Sequence, residues 1–142
     1  MDKLFNISSI VGGIVGGFLC NLFGGYDVIL KALIAFIVLD YITGVLKAIY
    51  TKTLSSETGF KGLIRKFLIL IVVVVAVIIE NVLGGAVPIR EITIIFFLCN
   101  EGISLLENAA EFIPIPEKLK AIFIQIRDKN IKTENEEGSE NE

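Results

Sequence analysis

The chain has 142 residues, is 54% hydrophobic, and has a mean hydropathy of +0.74 and a formal net charge of −3. Soluble domains are usually about 45–50% apolar, so this composition indicates a membrane protein. Three or four membrane-spanning helices of about 20 residues each would use almost the whole chain, which leaves no room for a separate soluble catalytic domain. We therefore expect a protein that is not an enzyme.

Other residue types exclude further classes of function. The chain has no histidine, and its two cysteines are far apart, so the sequence predicts neither a metal site nor a cofactor. It also has no run of basic residues interleaved with aromatic residues, so a nucleic-acid partner is not expected. The partner that the composition predicts is the lipid bilayer.

The first predicted transmembrane helix covers residues 4–23 and is rich in small residues. Gly12 and Gly16 form one pair four residues apart, and Gly13 and Gly17 form a second, overlapping pair. In lipid, such pairs let another helix backbone approach closely, so these four glycines are candidates for helix packing. The alternative is that they only reflect how common glycine is in membrane helices.

The second and third predicted transmembrane helices cover residues 28–50 and 61–83. The second carries Asp40, with Gly44 and Lys47 four and seven residues further on, on the same helix face. We expect Gly44 to be a packing position and Asp40 and Lys47 to be polar positions of the bundle. The third has no polar side chain between residues 67 and 79. Its many β-branched residues favour a strand, but an unpaired strand edge is excluded in lipid, so we predict a helix.

The fourth predicted transmembrane helix covers residues 89–112, and its polar residues recur at helical spacing. Asn100 and Ser104 belong to this stripe, and Glu101 lies beside them. Residues 113–132 then predict an amphipathic helix at the membrane surface or beneath the bundle. Residues 133–142 have five glutamates and no apolar side chain, which predicts a disordered acidic tail.

Positively charged residues predict the orientation of the bundle. The loop between the second and third helices is flanked by five basic residues, whereas the link between the third and fourth offers only Arg90. Loops rich in lysine and arginine face the cytoplasm, so the first loop is predicted to be cytoplasmic and the second external. Four transmembrane helices would then leave both termini in the cytoplasm.

Carboxylates inside a membrane are costly unless they are paired or hydrated, which makes them candidate functional residues. Three interpretations of Asp40 and Glu101 remain open at this point. In the first, both carboxylates are neutralised inside the bundle, for instance by Lys47 or Asn100. In the second, they line a water-filled lesion between several subunits. In the third, they form a proton relay, as in a small transporter.

Four strings in the sequence stand in a familiar order: LDYITGVLKA at residues 39–48, LSSETGFKGLIRK at residues 54–66, NEGISLLENAAEF at residues 100–112 and PIPEKLKA at residues 114–121. Together they resemble the toxin secretion/phage lysis holin family, also called phage holin family 4. The resemblance covers residues 27–120, and the acidic tail is not part of it.

The resemblance implies a small protein of the bacterial cytoplasmic membrane that forms homo-oligomers and opens large lesions. Through such lesions a phage endolysin, or a large toxin that lacks a signal peptide, leaves the cell. The family implies no catalytic residues. The sequence therefore predicts an all-α membrane protein with four transmembrane helices that acts as a holin. The alternatives are a small ion or proton channel, a transporter component, and a non-lytic regulator of the antiholin type.

Overall fold

A computed structural model describes the backbone of residues 2–139 and the side chains of residue 3 and residues 6–130. This part of the chain contains five helices and no strand, which confirms the prediction of an all-α protein. The helices are α1 (Asp2–Leu22), α2 (Val28–Tyr50), α3 (Ser56–Val82), α4 (Ile89–Ala109) and α5 (Glu117–Ser139).

Among the helix boundaries that differ from the predicted ones are the start of α3 and the end of α4. α2 has the predicted bounds, but α3 begins five residues early because Ser55 caps it: its hydroxyl accepts a hydrogen bond of 3.1 Å from the backbone N–H of Thr58. α4 ends at Ala109, three residues before the predicted end.

α5 extends into the segment 133–142, for which the sequence predicts a disordered tail. The helix continues through Ser139, and residues 140–142 lie outside the part of the chain that the structure describes. Glutamate and lysine have good helix propensity, so such a segment can extend a helix that has already begun.

α2, α3 and α4 form the packed centre of the fold. Apolar side chains from each helix meet there, with α4 packed against both α2 and α3. Helix packing of this kind buries one stripe on each helix. The fully or almost fully buried members of this core are Leu30, Leu33, Ile37, Ile69, Val73 and Ile94.

α1 is attached to this centre through its C-terminal turn and is otherwise unpacked. All its described side chains up to Asn21 are exposed, and they include large apolar residues such as Ile14 and Phe18. The turn that follows uses Gly24 and Gly25 at φ +70° and +115°, a backbone conformation that favours glycine. α1 thus ends at a sharp turn, and its apolar surface remains exposed.

Two of the described helices, α2 and α3, are long and apolar enough to cross a membrane. α1 contributes a shorter apolar stretch, Asn6–Leu22. The outward faces of α2 and α3 are apolar, as Ile42 and Val72 illustrate. This surface is suited to lipid rather than water.

α5 runs back along α4 in the opposite direction. Lys120 forms a salt bridge of 2.5 Å with Glu107, and Arg127 donates a hydrogen bond of 3.3 Å to Asn100. Between these contacts the ring of Phe123 lies against Gly102, where a Cβ atom would come within 2.7 Å of the ring. Glycine at position 102 therefore allows α5 to approach α4 closely.

We predict that alanine will have opposite effects at two helical glycines. At Gly62 nothing lies within 4 Å of the added Cβ, so Gly62→Ala should stabilise the fold by about 0.5–1 kcal/mol through helix propensity. At Gly102 the same change forces Phe123 to move, which costs about 1–3 kcal/mol and offsets that gain. The comparison is made by denaturant unfolding in mild detergent and by the rate of trypsin cleavage within α5. Equal stabilisation by both substitutions would contradict the close α4–α5 contact.

Candidate functional site

A buried group of charged side chains joins the three central helices. Lys66 of α3 places its Nζ atom 2.5 Å from Oδ2 of Asp40 on α2, and the same Nζ contacts Oε2 of Glu101 on α4. The three side chains are only 4–6% exposed. Buried charges are stable only when they are paired and hydrogen-bonded, so this cluster requires all three helices to be in place.

Asn108 completes the surroundings of Asp40. Its Nδ2 atom donates a hydrogen bond of 3.0 Å to Oδ1 of Asp40, the carboxylate oxygen that does not face Lys66. Asp40 therefore has a partner on each oxygen. Two carboxylates nonetheless face one ammonium group, so the cluster has an excess of acidic groups.

The cluster lies between the apolar core and one end of the bundle. Lys66 directly precedes the apolar run at residues 67–79 of α3. Asp40 lies about 15 Å before the end of α2, and Glu101 about 12 Å before the end of α4, at a rise of 1.5 Å per residue. All three residues are thus two to three helical turns from the same end of the bundle.

A second cluster around Arg90 closes the opposite end. Its guanidinium group donates hydrogen bonds to Asp27 at 2.8 Å and to the backbone oxygens of Phe23 and Gly25 at 2.6 and 3.1 Å. Its backbone N–H donates to Glu80 at the end of α3, at 2.8 Å. Arg90 thereby fastens the α1–α2 turn and the end of α3 to the start of α4.

The Arg90 contact also holds the pKa of Asp27 below its usual value, mainly through the hydrogen bond from the guanidinium group. A lowered pKa means that the contact contributes stability above the ordinary pKa of an aspartate and loses it only as pH falls through the lowered value. The contact between Asp27 and Arg90 is therefore insensitive to pH in the neutral range.

Two clefts flank the Lys66 cluster. The first, the Asp40 cleft, has a volume of about 240 Å³ and is lined by Asp40, Gly44, Thr58, Lys66, Ser104 and Asn108. The second, the Glu101 cleft, has a volume of about 410 Å³ and is lined by Arg65, Ile69, Asn100, Glu101, Ser104 and Arg127, among others. Each carboxylate of the cluster thus borders a cleft, and Ser104 lines both.

The structure brings some of the predicted polar residues together and separates others. Asp40 and Glu101 share one cation, but that cation is Lys66. Lys47 instead forms a salt bridge of 3.0 Å with Glu111 at the partly exposed end of the bundle. Asn100 accepts a hydrogen bond from Arg127 rather than contacting Asp40. The expectation that Lys47 or Asn100 neutralises Asp40 is therefore wrong.

The predicted packing glycines fall into two environments. Gly44 faces α4, and a Cβ atom there would lie 3.5 Å from Nδ2 of Asn108. Around Gly12, Gly13, Gly16 and Gly17 no atom lies within 4 Å of the corresponding Cβ position. The α1 glycines thus form an open surface.

Sequence reasoning missed Lys66, Arg90 and Asn108 as partners. The charge pattern of the sequence marks Lys66 only as a residue that flanks the loop, yet it lies three and seven residues before the buried Ile69 and Val73. That spacing places it on the core-facing stripe of α3. The signal is hard to see because α3 is apolar on all sides.

Among the described residues, no group of three His, Cys, Asp or Glu side chains could hold a metal ion.

Comparisons with known proteins agree with the resemblance noted in the sequence. An uncharacterized 14.9 kDa protein in the nagH 3' region of Clostridium perfringens is 43% identical over 133 residues, which cover 91% of this chain and 99% of the relative. An uncharacterized protein of Listeria innocua is 41% identical over 125 residues, which cover 87% of each chain. A probable holin of Bacillus phage phi105 is 38% identical over 74 residues, which cover 52% of this chain and 55% of the relative.

No solved structure gives a significant match to the chain. The sequence model of the bacteriophage holin family, in contrast, matches residues 17–128. This range contains the Lys66 cluster, the Arg90 cluster and both clefts. The chain belongs to the bacteriophage holin family.

Proposed function

We propose that this protein is a holin that assembles from many copies in the bacterial cytoplasmic membrane and opens lesions large enough for a folded protein. The cargo would be an endolysin or a large toxin without a signal peptide. Family membership and the two apolar helices support a holin-type membrane protein. Assembly and lesion formation are the steps that this proposal adds.

The observation that carries the proposal is the unpacked state of α1. The helix is apolar and exposed, and its four glycines leave one face open to another backbone. In a membrane, close packing at small residues is a main source of helix association. α1 can therefore bind a second copy without disturbing the packed centre of either chain.

The Lys66 cluster implies that neutralising Asp40 and Glu101 is not what drives assembly. Asp40 and Glu101 find their partners within one chain, so they do not need other subunits for neutralisation. Its role in the proposal is to keep α2, α3 and α4 together as one unit while copies gather. When a lesion opens and neighbouring copies move apart, the clefts beside both carboxylates would let water reach this end of the unit.

The proposed topology has four transmembrane helices, α1 to α4, with both termini in the cytoplasm. The basic residues around the α2–α3 loop support this orientation, and it places the Lys66 cluster at the cytoplasmic edge. α5 would then lie along the cytoplasmic end of α4 as far as Arg127, which is level with Asn100. Its polar continuation could not follow α4 into hydrocarbon, so the later part of α5 would have to leave α4.

Release of a folded cytoplasmic reporter distinguishes this proposal from its alternatives. We expect induction of the chain in bacterial cells to kill them and to release a signal-less folded enzyme into the medium. Escape of ions or small solutes alone would instead indicate a channel or transporter component. Membrane insertion with neither killing nor release would indicate a regulator of the antiholin type. Either of these two results would contradict the holin proposal.

The α1 surface gives a second prediction. Gly13→Leu and Gly17→Leu should each reduce crosslinked oligomers several-fold and delay reporter release, because leucine blocks close approach of two backbones. Val15→Leu lies on the opposite side of α1 and serves as the matched control, with unchanged crosslinking. Oligomers at the unsubstituted level in both glycine variants would reject α1 as the contact between copies.

A further inference from the structure

Two arginines from different helices line the Glu101 cleft. Arg65 comes from α3 and Arg127 from α5, while Asn100 and Ser104 of α4 line the cleft between them. The cleft thus combines two guanidinium groups with an amide and a hydroxyl group. Arginine is well suited to oxyanions because its planar group offers five donors in a fork that matches phosphate and carboxylate.

Most of the donors on these two arginines are free. Arg65 forms no hydrogen bond or salt bridge within the part of the chain that the structure describes, although its charge acts on Glu101. Arg127 uses Nε for Asp128 at 3.1 Å and Nη1 for Asn100 at 3.3 Å, which leaves Nη2 without a described bond. Donors from both arginines are therefore available to a ligand in the cleft.

The two carboxylates that line the same cleft already have lysine partners. Glu101 contacts Lys66, and Glu107 forms a salt bridge of 2.5 Å with Lys120. Lys120 does not line the cleft, and Lys66 is shared with Asp40, so the charge of Arg65 also acts on Glu101. The hydrogen-bond donors of Arg65, however, are not used by either carboxylate.

The cleft also changes from polar to apolar along the bundle axis. Arg65 and Ser104 lie toward the predicted cytoplasmic end, whereas Ile69 and Phe97 lie one to two turns further into the apolar layer. A free oxyanion would use only the polar part. A phospholipid would use both, with its phosphate at the arginines and an acyl chain along Ile69 and Phe97.

We infer that the Glu101 cleft binds the phosphodiester head group of an anionic phospholipid, held between Arg65 and Arg127. Basic pockets between helices on the cytoplasmic side of a membrane are suited to anionic lipid head groups. Bound lipid would join α3 to α5 through the two arginines. The site is independent of whether the chain forms lesions, since it requires only the membrane and the described contacts.

The test is lipid retention by the purified full-length protein, measured by native mass spectrometry after release from detergent. We expect phosphatidylglycerol to be retained in preference to phosphatidylcholine. Arg65→Gln and Arg127→Gln should each weaken this retention about tenfold, as expected for loss of one charge-assisted contact. Arg65→Lys should give an intermediate value, because it keeps the charge and loses the fork.

Lys61→Gln is the matched control, since Lys61 pairs with Glu57 on the exposed surface of α3, outside the cleft. It should leave retention unchanged, and circular dichroism should show the same helix content in all variants. Inorganic phosphate provides the second arm of the test. Equal retention of the two lipids, full retention by both glutamine variants, or displacement of phosphatidylglycerol by inorganic phosphate at similar concentration would each overturn the lipid site.

Discussion

Lys66 joins the carboxylates of α2 and α4, and the arrangement of the central helices depends on it. Each of these charges alone would be costly at the edge of a hydrocarbon layer. Together, and with Asn108 on the second oxygen of Asp40, they are paired and buried. The cluster fixes the relative height of the three helices, because a shift along any of them would leave a buried charge without its partner.

From this constraint follows a division of the molecule into two parts with different roles. The central unit of α2, α3 and α4 is closed at one end by Lys66 and at the other by Arg90. α1 lies outside that closure, joined to it by a glycine turn, with its apolar surface and its glycines exposed. If copies assemble as proposed, α1 can make the contact while the central unit stays folded.

The sequence predicted the helices better than the partners. The bounds of α2 were predicted correctly because Asp27 and the polar loop mark them, and the all-α fold follows from apolar length in lipid. The acidic residues of the site were visible because carboxylates stand out in apolar runs. Lys66 could not be recognised as a site residue, because a lysine before a uniformly apolar run is also expected as a cytoplasmic flanking charge. Its true role depends on the rotation of α3, which tertiary packing decides. The same limit applies to Arg90 and Asn108.

The most direct test of this account is a double-mutant cycle between Lys66→Met and Asp40→Asn, measured as unfolding free energy in mild detergent at neutral pH. Removing Lys66 alone leaves two carboxylates buried together, which should cost about 3–5 kcal/mol. Removing Asp40 as well should relieve part of that cost, so the account predicts a coupling energy of about 2 kcal/mol between the two positions. Effects that simply add, within about 0.5 kcal/mol, would contradict the claim that Lys66 holds the central helices together.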